Sequence, residues 1–261
     1  MISIGPVERH LIQLTKRGPV IAALIDPEDY SPNAAAEVAA KATGSGASII
    51  LVGGSTLANQ NKLNAVVRGI KGHTKSRPGH TESHQAPVVL FPGNITGVSR
   101  YADAILFSSL LNSTNPYFIV GAQAIGAIEV YNSKIESIPM AYLVFGNSSA
   151  TSFIGQVNSL PTSKPNLAAI YALAAGYLGM RTLYLEAGSG AGEPIPQETI
   201  HAVRKVYTGM LIVGGGITSA ETASRAAKAG ADIIVIGNLL ARAGFETTLR
   251  QIAQALRKQR K

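Results

Sequence analysis

The sequence contains no cysteine and no tryptophan, and aromatic residues make up only 6% of its 261 positions. Without cysteine the chain can form no disulfide, hold no thiolate-bound metal and perform no thiol catalysis. No apolar run approaches the roughly 18 residues that a membrane-spanning helix needs. Residues 1–18 intersperse acidic and basic side chains and lack an apolar signal-peptide core. These absences predict a soluble protein of the cytoplasm.

Positive charge is in excess, with a formal net charge of +8. Part of it lies in the stretch 257–261 and part near residues 71–77. A solvated helix end and a flexible loop account for it most simply, while an anionic substrate or an anionic membrane surface is the functional alternative. Basic residues do not interleave with aromatic ones, so we expect no nucleic-acid partner.

Short apolar runs alternate with longer helical patterns along the whole chain. The predicted strands are 20–26, 48–54, 87–93, 103–109, 140–146, 181–188, 210–216 and 232–238. They are apolar throughout, as in parallel strands that are covered on both faces. Helical patterns cover 32–43, 60–71, 116–135, 165–178, 197–207, 219–229 and 239–257. Only "NITGVSRY" can form a helix after the third strand. We predict one (β/α)8 barrel domain over 1–261, with a shortened or missing third helix.

The polar segment 72–85 interrupts this pattern. It has no periodicity and contains His73, His80 and His84. Their spacing does not match a compact zinc site, and neither cysteine nor a carboxylate cluster accompanies them. We expect a mobile surface insertion, with incidental metal binding as the alternative.

Two glycine loops follow the seventh and eighth predicted strands, in "LIVGGGITS" and "IVIGNLL". In barrels of this kind, these loops and the following helix N-termini commonly bind phosphate. Gly215, Gly216 and Gly237 would let backbone amides approach phosphate oxygens, and the Asn238 amide could donate a hydrogen bond. Tight turns alone are the alternative explanation. The pair of loops in this order favours phosphate binding.

A third glycine-rich loop, "EAGSGAGEPI", follows the sixth predicted strand, where Ser189 could complete the phosphate cradle. Glu186 lies at the end of that strand. A structural glutamate there would need a buried partner, because an unpaired buried carboxylate is unfavourable. Beside a phosphorylated alcohol, the same side chain could bind hydroxyl groups and accept a proton. We favour the functional interpretation of Glu186.

Asp26 ends the first predicted strand, and Glu28 and Asp29 follow it. A carboxylate at a strand end suits Mg²⁺, which prefers hard oxygen ligands and often bridges to substrate phosphates. The Ser55 hydroxyl, after the second strand, could be another ligand. For Glu28 and Asp29 a solvated loop is the simpler expectation. The chain thus has two predicted anion centres at one end of the barrel, which suits two phosphorylated substrates.

Other functions fit some of these features. A sugar-phosphate isomerase or lyase would need an acid–base pair, for which only Glu186 and Asp26 qualify. A non-catalytic sensor of a phosphate ligand would bind without turnover. No Ser-His-Asp set stands out, and no tandem aspartate motif of prenyl-chain elongation is present.

Six strings together resemble the geranylgeranylglyceryl phosphate synthases and their bacterial heptaprenylglyceryl phosphate relatives. The strings are "LIDPED", "LVGGS", "SLLNSTNPYFIVGAQ", "YLEAGSG", "IVGGGI" and "IGN", in family order over most of the chain. The stretch "NPYFIVGAQAIGA" resembles the larger, archaeal-type branch, whose members often assemble beyond dimers. Segment 72–85 departs from the compact family pattern, although it lies away from these strings.

The resemblance implies a prenyltransferase that joins sn-glycerol 1-phosphate to geranylgeranyl diphosphate in archaeal-type phospholipid synthesis. It implies Mg²⁺ at Asp26 and Ser55, with Asp26 and Glu186 as catalytic residues. The glycerol 1-phosphate site would comprise Tyr184, Leu185, Glu186, Ala187, Gly188, Ser189, Gly190, Gly215, Gly216, Gly237 and Asn238. A homo-oligomer, a dimer or a hexamer, and peripheral membrane contact are expected. For the prenyl tail, the apolar candidates are Phe107, Leu110, Tyr117, Phe118 and Tyr142.

Overall fold

Eight parallel strands close into a barrel in sequence order, with β8 hydrogen-bonded back to β1. The computed structural model describes residues 3–54, 59–75, 86–146, 149–188 and 190–259. The strands are β1 Val20–Ile25, β2 Ala47–Val52, β3 Val88–Leu90, β4 Ala104–Leu110, β5 Glu136–Val144, β6 Thr182–Glu186, β7 Met210–Gly214 and β8 Ile233–Ile236. Each overlaps a predicted strand, although β5 begins four residues earlier than the predicted 140–146, and the predicted barrel class is confirmed.

The helices lie between the strands, with α1 before the first of them. They are α1 Pro6–Lys16, α2 Pro32–Gly44, α3 Gln60–Lys75, α4 Ala122–Ser133, α5 Ala150–Ile154, α6 Pro165–Tyr177, α7 Gln197–Val206, α8 Ala220–Lys228 and α9 Phe245–Arg257. Ser31 and Ser219 cap α2 and α8, since each hydroxyl accepts a backbone amide of the first turn. The sequence analysis did not identify α5, because one short turn of helix gives no periodic signal.

Two predicted helices begin with tighter or wider turns. The stretch Tyr117–Gly121 is a π-helix that continues into α4, and Asn238–Ala241 is a 3-10 helix that precedes α9. Such single turns are common near functional sites and at helix ends. Both segments lie at the carboxyl end of the barrel, just after β4 and β8.

The connection between β3 and β4 contains a 3-10 helix of only three residues, Ile95–Gly97. This confirms the prediction that the third helix is shortened or missing. The Asn94 side chain accepts a hydrogen bond from the Ile95 amide at 2.8 Å and one from the Tyr117 hydroxyl at 2.7 Å. The short connection is therefore tied to the π-helix on the neighbouring unit.

The core has two layers, one inside the barrel and one between the strands and the helices. At the amino end of the barrel, Leu11 of α1 joins the inner layer. The Glu136 carboxylate accepts the backbone amides of Val7 and Glu8, both at 2.7 Å. The buried Glu8 carboxylate in turn binds Arg181 through two hydrogen bonds of 2.6 and 2.7 Å. Helix α1 thus covers this end of the barrel, and the opposite end is left for a site.

The predicted insertion at 72–85 begins later than expected, because residues 72–75 form the end of α3. The rest of it, 76–85, lies outside the described residues, and so do His80 and His84. Among the helices that the structure describes, none is long and apolar enough to span a membrane.

Candidate active site at the carboxyl ends of the strands

A cavity of about 480 Å³ opens at the carboxyl ends of the strands. Residues at or just after the ends of β1, β2, β3, β4, β6, β7 and β8 line it: Asp26, Gly54, Phe91, Leu110, Glu186, Gly215 and Gly237. This is the end of a (β/α)8 barrel at which catalytic groups assemble. The two predicted anion centres therefore face the same space.

Asp26 is half-buried at the end of β1, and its Oδ1 accepts the backbone amide of Glu28 at 2.9 Å. Partial burial raises the pKa of the Asp26 carboxyl, against the lowering effect of the Glu28 amide, and the nearby carboxylates of Asp29 and Glu28 raise it further. A cation bound beside Asp26 would favour the charged carboxylate, and so offset both the burial and the repulsion from Asp29 and Glu28. The Asp26 carboxylate is thus placed to bind a positive charge.

Gly54 makes the position of this carboxylate possible. A Cβ built on Gly54 would lie 2.0 Å from Asp26 Oδ2. Any side chain at position 54 would therefore displace the carboxylate, which explains why the turn after β2 carries glycine here.

The neighbouring acids behave differently from Asp26. Glu28 is exposed and pairs with the Lys62 ammonium at 2.9 Å, while exposed Asp29 also lines the cavity. In the described part of the chain, no group of three or more His, Cys, Asp or Glu side chains could hold a metal ion. One carboxylate is nevertheless enough for a Mg²⁺ ion that substrate phosphates and water also ligate. The residues present fit such an ion, and Ser55 lies outside the described residues.

Glu186 is buried at the end of β6, and its Oε1 accepts the backbone amide of Gly188 at 2.7 Å. Burial raises the pKa of the Glu186 carboxyl, although the Tyr184 hydroxyl and the Gly188 amide both act to lower it. A carboxylate with a raised pKa is a stronger base than an exposed glutamate. The geometry thus suits Glu186 for accepting a proton.

Three aromatic rings pack inside the barrel below Glu186. Phe91 and Tyr184 stack with centroids 5.2 Å apart, and Tyr142 meets both rings edge-on at 5.3 and 5.2 Å. The fully buried Tyr184 hydroxyl makes no hydrogen bond of ordinary geometry with any described residue, although it lies close enough to influence Glu186. A buried hydroxyl that faces a cavity calls for a polar partner in that cavity.

The glycine loops differ in what requires each glycine. Gly215 and Gly216 have φ values of 83° and 69°, which favour glycine, and a Cβ on Gly215 would lie 2.7 Å from Glu186 Oε1. Turn geometry and packing explain these two positions. At Gly237 a Cβ would meet nothing closer than 3.8 Å, so neighbouring protein atoms do not demand glycine there. Gly237 and Asn238 line the cavity, where close approach of a ligand would account for the glycine.

The other predicted substrate-site residues are distributed unevenly. Gly188 and Gly190 line the cavity, whereas Leu185 packs in the outer core layer and Ala187 packs against that layer. Neither Leu185 nor Ala187 is a lining residue. Ser189 lies outside the described residues.

An apolar arm of the cavity runs outside the barrel wall, and its lining residues are Val98, Ile105, Phe107, Gly126 and Val130. Ile105, Val98 and Val130 belong to the core layer between strands and helices. The arm occupies the side on which the third helix is missing. Of the predicted tail-binding residues, Phe107, Leu110, Phe118 and Tyr142 line the cavity, while Tyr117 does not.

The sequence analysis missed several lining residues. It did not consider the residues just after β3, Phe91 to Asn94, although the rule applied to the other strand ends would have found them. Thr151 and Ile154 come from the unidentified α5. Gln123 lines the cavity with its Nε2 bonded to the carbonyls of Ser108 and Phe118, and the quoted string that ends in "GAQ" contained this residue.

Comparison with known proteins agrees with this geometry. The chain is 50% identical to the geranylgeranylglyceryl phosphate synthase of Thermococcus gammatolerans, over 94% of this chain and 93% of that protein. It is 47% identical to the enzyme of the same name from Thermococcus kodakarensis, over 98% of both. The crystal structure of the Thermoplasma acidophilum synthase with its substrate sn-glycerol-1-phosphate has a TM-score of 0.90 at 34% identity, covering 98% of this chain and 100% of that one. The profile of the PcrB family matches residues 13–256. The chain therefore belongs to the PcrB family.

Proposed function

We propose that this chain is a prenyltransferase that joins the 3-hydroxyl of sn-glycerol 1-phosphate to geranylgeranyl diphosphate and releases pyrophosphate. The names of its relatives and the glycerol phosphate bound to the Thermoplasma enzyme support this assignment. The observation that carries it is the set of residues that line the cavity. A buried carboxylate under glycine loops, a half-buried aspartate and an apolar arm share one space. The product would be an early ether-linked intermediate of archaeal-type membrane lipids.

We place the acceptor between β6 and β8. Amides of the loops at Gly215, Gly216 and Gly237 would bind the phosphate, with Gly188, Gly190 and Asn238 beside them. Helix α8, whose amino end follows the β7 loop, adds a favourable dipole. The glycerol oxygens would lie beside Glu186 and Tyr184, which line the cavity here. This arrangement fixes the acceptor's position and turns its free hydroxyl toward β1.

Glu186 would act on that hydroxyl. A primary alcohol is a weak nucleophile, and a base that removes its proton during attack typically adds a factor of about 10² to 10⁴ to the rate. The oxygen forms the new bond to the allylic carbon of the donor, the bond from that carbon to the diphosphate breaks, and the hydroxyl proton passes to Glu186.

Asp26 would hold the donor's diphosphate through Mg²⁺, with Ser55 as the second ligand that the sequence predicts. When bound, Mg²⁺ would neutralise the charge that develops on the leaving diphosphate. Asp26 is kept in place for this task by the Glu28 amide and by the space above Gly54. The Lys62 ammonium pairs with the Glu28 carboxylate, so that Glu28 competes less with Asp26 for the metal ion.

The prenyl tail would enter the apolar arm. Its lining combines side chains from β4 and α4 with Val98 of the short β3–β4 connection. Burying an isoprenoid there removes apolar surface from water, at about 25 cal/mol per Å². A sugar-phosphate isomerase would have no use for such an arm.

The direct test is a reaction of the purified protein with Mg²⁺, geranylgeranyl diphosphate and sn-glycerol 1-phosphate. We expect release of pyrophosphate together with an ether lipid of the matching mass. sn-Glycerol 3-phosphate is the matched control, and equal rates with the two enantiomers would contradict the assignment of the acceptor. Release of pyrophosphate without ether formation would indicate a hydrolase instead.

Self-association and membrane contact belong to the same proposal, as does the cytoplasmic location expected from the sequence. The outer surface of α4 and the π-helix exposes Val120, Ile125, Ile128 and Tyr131. Phe153 of α5 and Tyr177 of α6 are exposed as well. Large exposed apolar patches commonly mark interfaces. Light scattering of the wild type and of Ile128→Glu tests whether a homo-oligomer uses this face. An oligomer that the substitution leaves intact would exclude α4.

A further inference from the structure

Helix α4 presents one face to the cavity. Ala122, Gln123, Gly126 and Val130 line it, while Ile125 and Ile128 point outward. With a rise of about 1.5 Å per residue, Gly126 lies about 6 Å along the helix from Ala122, and Val130 about 6 Å further. On β4, Phe107 and Ile105 line the arm, with Ile105 about 7 Å nearer the amino end of the strand. Gly126 therefore lies midway along the face that α4 presents to the cavity.

Gly126 has no structural reason to be glycine. It is buried inside a regular helix, its φ is not positive, and a Cβ built on it would meet nothing within 4 Å. Glycine is the least favourable residue in a helix interior apart from proline. Gly69 of α3 offers a contrast, since a Cβ there would lie 2.7 Å from the Pro32 carbonyl oxygen of the neighbouring helix. At Gly126 the open space is that of the cavity.

We propose that Gly126 sets the length of prenyl chain that the enzyme accepts, by leaving the arm open past the middle of α4. This inference rests on the proposed prenyl transfer. Beyond Gly126 the arm ends among Val98, Ile105 and Val130, all of which are buried. A branched side chain at position 126, such as leucine, would reach across this open space and close the passage between α4 and β4. Shorter donors would still fit on the mouth side of the closure, where the reacting carbon lies.

The test compares kcat/KM for geranyl, farnesyl, geranylgeranyl and farnesylgeranyl diphosphates at saturating sn-glycerol 1-phosphate. In Gly126→Leu we expect the ratio for geranylgeranyl over geranyl diphosphate to fall by roughly tenfold or more, because even one misplaced methylene in an apolar pocket alters discrimination about tenfold. Ala127→Leu, on the exposed side of the same helix, is the matched control and should keep the wild-type ratio. Val130→Ala deepens the arm and should raise the relative rate with the farnesylgeranyl donor.

A Gly126→Leu ratio within about twofold of the wild type would overturn the inference. If that variant does not fold by circular dichroism, the smaller Gly126→Val decides: a ratio that is clearly lower supports the proposal, and an unchanged one refutes it. Wild-type protein that transfers no prenyl group of any length would overturn the proposed function itself. Wild-type transfer combined with unaltered ratios would overturn only the role of Gly126.

Discussion

The Asp26 carboxylate lies directly over Gly54, with Oδ2 2.0 Å from the position that a Cβ on residue 54 would occupy. One residue comes from the end of β1 and the other from the turn after β2. The Asp26 carboxylate can occupy this position only because residue 54 has no side chain. Several predictions about the donor side of the site rest on this pair.

Gly54→Ala should therefore impair turnover without removing a single functional group. We expect kcat to fall by about 10² or more, because misplacement by about 1 Å at a reacting centre has effects of that size. The rate should be measured over a Mg²⁺ titration. We expect the variant to need a higher Mg²⁺ concentration to reach half of its maximal rate. Gly44→Ala is the control, since a Cβ there meets nothing within 4 Å. Equal rates for Gly54→Ala and the wild type would show that Asp26 does not need its observed position.

Asp26→Asn should abolish most activity while the fold is retained. The amide oxygen can still accept the Glu28 amide, so only the charge is lost. Calorimetric titration of Mg²⁺ in the presence of pyrophosphate should show weaker binding than in the wild type. Unchanged Mg²⁺ affinity would assign the ion to other residues.

The pH dependence of kcat/KM should report Glu186. Because burial raises its pKa, the carboxyl stays protonated to a higher pH than an exposed glutamate does, and only the deprotonated form can accept the hydroxyl proton. We expect activity to fall as pH decreases through that raised pKa. Glu186→Gln should lower kcat by about 10² to 10⁴ and remove this acidic limb from any residual activity. An acidic limb that persists in the variant would belong to another group, such as Asp26.

Glu186→Gln should also stabilise the fold near neutral pH. With its pKa raised in the folded state, Glu186 binds a proton more tightly there than in the unfolded chain, so the free energy of unfolding falls as pH rises through the interval between the two pKa values. Glutamine removes this penalty and can keep the Gly188 hydrogen bond. Thermal melts should show a higher Tm for the variant at pH 7 than for the wild type, with the difference shrinking toward pH 4. A lower Tm for the variant at pH 7 would contradict the unfavourable burial.

Gly215→Ala and Gly179→Ala form a matched pair for the β7 loop. Both glycines have φ near 80°, so alanine strains each backbone by a similar amount, on the order of 1 kcal/mol. Only at position 215 would the Cβ also collide with Glu186 and Gly188, whereas at 179 nothing lies within 4 Å. We expect both variants to lose stability in denaturant titrations, Gly215→Ala by more because of this collision, and Gly215→Ala alone to lose activity. Equal kinetics for the two variants would reduce the role of Gly215 to turn geometry.

Periodicity and turn chemistry were sufficient to predict the barrel. Continuous apolar strands, caps such as Ser31 and the shortage of residues after β3 are local signals, and each is present in the structure. The same holds for Asp26 and Glu186, because the end of a strand can be located from the sequence.

The apolar arm could not be predicted in this way. It depends on how far α4 stands from β4, and that distance is set by packing across residues remote in sequence. Gly126 is an example. From the sequence alone, a glycine inside a helical pattern indicates only a less stable helix, and the open space beside it is known only from the structure. The need for glycine at position 54, beside Asp26, likewise becomes visible only when the two strands are placed side by side.

The connection after β3, whose only helix is a three-residue 3-10 turn, has a consequence for the unliganded molecule. Every other pair of consecutive strands is connected through an α-helix, whereas here the outer helical layer of the barrel is interrupted. The apolar isoprenoid chain of the donor would fill this interruption. While it is bound, the isoprenoid would pack against the strands in place of the missing helix, in addition to being a reactant. Occupancy by the donor should tighten the wall around β3 and β4, slowing amide hydrogen exchange there and leaving the far side of the barrel unchanged.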